Sequence, residues 1–114
     1  MKKRVIKRYV LWETDREEGE VVGIKLPIPF KVVHIGVDRH EYPFCPICVW
    51  VEIDEDVQFG PDDTIQGNFT TVDFLCVKYC EPISERFTYF STIEDTRFST
   101  WRALHVYTSA KYLT

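Results

Sequence analysis

The chain has 114 residues, a net charge of −4, and is 45% hydrophobic and 15% aromatic. A chain of this length buries enough apolar surface to fold as one domain, residues 1–114, without a metal, a disulfide or another cofactor to hold it together. Its mild acidity excludes a protein that grips nucleic-acid phosphates over its whole surface, and no window has the apolar length of a transmembrane helix.

The first segment, RVIKRYVLW at residues 4–12, alternates as a strand does, with Val5, Lys7, Tyr9 and Leu11 on one side and Ile6, Arg8, Val10 and Trp12 on the other. Its upstream basic residues resemble the start of a secretory signal, but the apolar run YVLW is interrupted by acidic residues after four positions. The expectation is a protein that stays in the cytoplasm, with its four cysteines reduced. ETDREEGE reads as an acidic turn, and VVGIKLP as an extended run ending at Pro27-Ile28-Pro29, where two prolines exclude a central strand.

KVVHIGVD, residues 31–38, predicts a strand with Val33, Ile35 and Val37 on one face and Val32, His34 and Gly36 on the other. CVWVEID follows as another strand. Residues 54–68, DEDVQFGPDDTIQGN, are polar and broken by Gly60-Pro61 and Gly67, which predicts the longest loop. VDFLCVKYC and RFTYFSTI predict two further strands around an EPISE turn. The segment TRFSTWRALHVYTS fits both helical and strand periods, and its β-branched and aromatic residues favour the strand. Six or seven short strands with turns between them predict an all-β antiparallel sandwich or small barrel.

Cys45-x2-Cys48 and Cys76-x3-Cys80 have the pairing of zinc ligands. Extended backbone argues against that use. At ~3.3 Å per residue Cys76 and Cys80 would lie roughly 13 Å apart, whereas thiolates sharing one zinc sit within roughly 4 Å. Redox use of Cys45-Pro-Ile-Cys48 would need a helix N-terminus to acidify the first thiol, and a strand follows instead. The expected role of the cysteines is that of small buried hydrophobes, with no metal bound.

Glu52, Asp54, Glu55, Asp56, Asp62 and Asp63 lack the order of a calcium loop and predict a solvated acidic loop held open by repulsion. Lys2, Lys3, Arg4, Lys7 and Arg8 predict a charged edge strand that resists aggregation. No oxyanion loop or phosphate-cradling glycine motif accompanies His34, His40 or His105, so a catalyst is not expected. The candidate binding residues are Arg97, Trp101, Arg102 and His105, because cations and π faces suit a small anionic ligand.

Leu26-Pro27, Val33-His34-Ile35, the strand Val49-Trp50-Val51-Glu52-Ile53-Asp54, Tyr89-Phe90-Ser91-Thr92 and His105-Val106-Tyr107 stand in an order that resembles an uncharacterised family of small proteins encoded mostly by bacteriophages. Two positions depart from that family's pattern: Tyr79-Cys80-Glu81-Pro82-Ile83 lacks its turn glycine, and Leu104 replaces its tryptophan. The resemblance implies a phage origin and an all-β fold but no reaction. The expected function is therefore a non-enzymatic binding module in the infected cell's cytoplasm, acting on a host or defence protein or sequestering a small anionic ligand. The alternatives are a minor virion or assembly protein, which could use exposed sheet edges for homo-oligomer contacts, and a zinc-binding protein using Cys45, Cys48, Cys76 and Cys80.

Overall fold

Runs of Val, Ile, Phe and Tyr at every second position bury one side of a pleated strand, and the fold is built almost wholly from such strands. The computed structural model describes residues 3–12, 21–41, 46–77, 82–95 and 102–109. In chain order the strands are β1 (Arg4–Trp12), β2 (Val21–Pro27), β3 (Phe30–Val37), β4 (Ile47–Asp54), β5 (Gln58–Phe59), β6 (Ile65–Gln66), β7 (Phe69–Val77), β8 (Thr88–Asp95) and β9 (Arg102–Thr108). All pair antiparallel. Among the described residues no helix is long and apolar enough to cross a membrane.

Seven strands form two sheets, with orders β1-β4-β3 and β2-β7-β9-β8, and β5 with β6 forms a separate hairpin. The two sheets share one core. Leu11, Val32, Ile35, Ile47, Val49, Val51 and Ile53 from the first sheet meet Leu26, Val72, Phe74, Cys76, Ile93, Leu104 and Val106 from the second. This is the face-to-face packing of a sandwich, with the inner residues of each sheet interdigitating. A smaller cluster lies on the outer face of the second sheet, where Phe87 covers Leu75 and Val77 and Ile83 and Tyr107 pack at its margin. Arg86 fastens that segment with a 2.7 Å ion pair to Asp73.

β2 is an edge strand, as its prolines require, and the Ile28–Pro29 bond after it is cis. The ambiguous C-terminal segment is a strand over Arg102–Thr108; residues 96–101 lie outside the described residues.

Three local expectations need correction. Perfect alternation in β3 fails because a bulge between Val32 and His34 inserts one extra residue, so Val32 joins Ile35 in the core and Val33 is exposed. Residues 54–68 are not an open loop. Phe59 and Ile65 pair across the β5–β6 hairpin, Ile65 is buried and Phe59 packs against the main core, so two apolar residues overcome the acidic surroundings. Repulsion among the carboxylates is also relieved at the base of this segment, where Arg4 pairs with Glu52 at 2.7 Å and Asp54 at 3.3 Å.

A candidate binding cleft between two bulged edge strands

β3 ends one sheet and β8 ends the other, and the two edges lie on the same side of the sandwich. Each carries a bulge there: β3 between Val32 and His34, β8 between Tyr89 and Ser91. A bulged residue drops out of the regular ladder and its strand bends, which re-aims the neighbouring side chains. The result is an open cleft of about 430 Å³, lined by Val33–Gly36 from β3 and Phe90–Ile93 from β8. Ile35 and Ile93 are buried core residues and form its apolar side, while His34, Ser91 and Thr92 supply polar groups.

His34 is held on the outer face of its sheet by two neighbours. Its ring lies 5.2 Å from that of Trp50, tilted by 39°, and it covers Gly36 so closely that a Cβ there would sit 2.9 Å from Nε2. On the opposite wall, the Thr92 hydroxyl links two side chains, with Tyr89 Oη at 2.7 Å and His105 Nδ1 at 3.0 Å. Tyr89 is braced edge-on by Tyr107 at 5.7 Å. Both walls therefore present hydrogen-bonding groups fixed by second partners, an arrangement that suits recognition of a ligand's polar head.

A second polar cluster lies on the same outer sheet face as His34. Arg8 donates Nη1 to Asp38 and Nη2 to Glu41, the latter at 2.7 Å, and Nη1 lies 3.9 Å from Cys48 Sγ. Asp38 also accepts the backbone N–H of His40 at 3.0 Å, and this bond, followed by Arg8, holds its carboxyl below the usual aspartate range. Cys48 is fully buried, and burial pushes its thiol up to about 11 despite the nearby guanidinium. Such a thiol stays protonated near neutral pH and is a poor nucleophile.

Of the four residues chosen from sequence, His105 faces the outer surface of the second sheet, one hydrogen bond from the cleft through Thr92. Arg102 opens β9 in register with Asp95. Arg97 and Trp101 lie outside the described residues, as do Cys45 and Cys80. Cys76 is in the core between the sheets, whereas Cys48 alternates with the core residues of β4 and lies beside Arg8, so these two thiols occupy opposite faces of different sheets. Among the described residues no group of three or more His, Cys, Asp or Glu side chains gathers as a metal site.

No family model, curated protein or solved structure matches this chain. The resemblance to the phage family rests on its short motifs alone.

Sequence reasoning passed over Val33, His34, Phe90, Ser91 and Thr92 as cleft residues. A trace of them was present. The doublets Val32-Val33 and Tyr89-Phe90 interrupt the alternation there, but Val21-Val22 and Phe74-Leu75 are doublets in unbroken register, so a doublet alone does not mark a bulge.

Proposed function

We propose that this protein is a non-enzymatic binding domain that holds a small molecule, with an apolar body and a hydrogen-bonding head, in the cleft between β3 and β8. The observation that supports it is the meeting of two bulges on one open side of the sandwich. A single bulge is a common way to blunt a sheet edge. Two that flank one cleft, with His34 fixed on one wall and Thr92 on the other, fit the mixed lining of small-ligand sites, and about 430 Å³ is within their usual size.

The apolar part of the ligand would lie against Val33, Ile35, Phe90 and Ile93, and its head would bond to His34, Ser91 or Thr92. Among the described lining residues there is no lysine or arginine, which favours a neutral or singly charged head over a polyanion. Among the described residues, the thiol on this outer face, Cys48, is held protonated, which favours binding over covalent chemistry there. An accessory role in the cytoplasm of a phage-infected cell is the setting that the family resemblance adds to this proposal.

The test is a fragment screen read by two-dimensional amide NMR on the labelled protein. Hits should shift the amides of residues 33–36 and 90–93 together, and Gly36→Ala should weaken them at least several-fold. Hits that map elsewhere, or none across a diverse library, would refute the proposal.

A further inference from the structure

Lysine and arginine along an edge strand normally stand out into water and discourage pairing with another chain. β1 has the composition but not the arrangement. It is the edge of its sheet, and among the described residues no strand pairs with its outer side. Arg4 leans toward β4, where it is held by Glu52 and Asp54. Arg8 reaches farther, past Cys48 of β4 to Asp38 and Glu41, which follow β3 on the far side of the sheet. Both guanidinium groups are thus drawn away from the open edge. Apart from Arg4, the exposed residues of the strand are apolar: Val5 at 43%, Ile6 at 60% and Val10 at 40%. Three of the large exposed hydrophobic residues sit within one nine-residue strand.

We infer that β1 pairs antiparallel with β1 of a second copy, about a two-fold axis through Arg8, so that Ile6 of each copy faces Val10 of the other. Symmetry limits the choices, because residues opposite one another in an antiparallel ladder point to the same face, so the axis must pass through a residue. An axis at Lys7 would oppose two lysines and place Ile6 against Arg8; an axis at Ile6 would oppose Arg4 and Arg8. Like or mismatched pairs of this kind are destabilising. The axis at Arg8 matches Ile6 with Val10 and sets Lys7 beside Tyr9, and it confines the pairing to residues 6–10, short of the bulge that interrupts β1 between Val10 and Trp12. The two arginines that meet on it are each neutralised by Asp38 and Glu41 of their own chain. Pairing would convert the three-stranded sheet into a continuous six-stranded one, and an isologous contact of this kind closes after two copies.

Light scattering over a concentration series tests the association: the mass should rise toward twice that of one chain and stop there. A mass that stays at one chain, or climbs without limit, overturns the inference. Ile6→Lys and Val10→Lys change exposed side chains, so the fold should survive by circular dichroism while dimer formation falls at least tenfold; unchanged dimerisation overturns it. The register has its own test. Under mild oxidation the double variant Ile6→Cys/Val10→Cys should form a covalent dimer well above the background of the unaltered protein. Ile6→Cys alone should not, because in this register the two copies' residues 6 are roughly 13 Å apart at ~3.3 Å per residue, beyond the roughly 7 Å that a disulfide spans. Cross-linking of the single variant, or none of the double one, refutes the pairing.

Discussion

The ring of His34 lies directly over Gly36, with Nε2 2.9 Å from the place a Cβ would occupy. Glycine at this position is explained by the approach of the ring, since the backbone around it is ordinary strand. Gly36→Ala should therefore swing the imidazole away from Trp50 rather than unfold the sheet, because the obstructed atom is the far end of a side chain. The expected outcome is a stability loss of about 1 kcal/mol or less, accompanied by a clear change in the Trp50 side-chain NMR signals and cleft binding weakened at least several-fold. An unfolded variant would contradict this.

Thr92→Val keeps the shape of the side chain and removes the oxygen that joins Tyr89 to His105. These partners can turn to water, so denaturation should show a loss of only about 0.5–1.5 kcal/mol, the usual net worth of such hydrogen bonds. At fixed pH the His105 ring signals should then shift while the core amides do not.

Cys48 should resist alkylation in the native state near pH 8 and react once the protein is unfolded. Its folded pKa is raised, to about 11, so the folded state holds the proton more tightly than the unfolded state does. The stability that goes with this is complete below the ordinary thiol range and is lost as pH climbs toward the folded value. Cys48→Ala should flatten that alkaline decline, measured as urea midpoints from pH 8 to 11. Rapid native labelling would show that the thiol is neither buried nor protonated.

Asp38 gives the opposite sign. Its carboxyl is held low by the His40 N–H and by Arg8, so its contribution is present above the ordinary aspartate pKa and disappears as pH falls through the lowered folded value. Asp38→Asn should lower stability at neutral pH, and the two proteins should converge only in acid, below the ordinary aspartate range. Parallel curves down to the lowest pH would mean that the carboxylate's charge contributes nothing.

Phe74 is fully buried where the two sheets meet. Phe74→Ala should cost about 3–5 kcal/mol through lost burial and the cavity left behind, a large part of the stability of a domain this size. A loss under about 1 kcal/mol in chemical denaturation would be incompatible with the packing of the sandwich.

Alternation, helped by β-branched and aromatic content where the C-terminal segment fitted both periods, was enough to mark the seven long strands, because burying one face of a pleated strand leaves a period of two in the order of residues. The same patterning placed Cys48 and Cys76 in extended backbone, while the amide donors that the prolines lack kept Pro27-Ile28-Pro29 out of a central strand. It could not place Phe59 and Ile65, whose hairpin depends on a core contributed by distant strands. Nor could it find the cleft. A bulge is defined by the partner strand's count, so the extra residue at Val33 or Phe90 exists only relative to β4 or β9.

The direction of the arginines was likewise decided by the tertiary structure. As a string, Arg4, Lys7 and Arg8 are three cations on one strand, and nothing local says where their heads go. Asp38 and Glu41, some thirty residues away, come within reach of Arg8 only because β3 and β4 are paired, and they draw its charge across the sheet. Local covalent order thus determined which segments are strands, while the long-range pairing of those strands decided which side chains meet and which edge is left apolar.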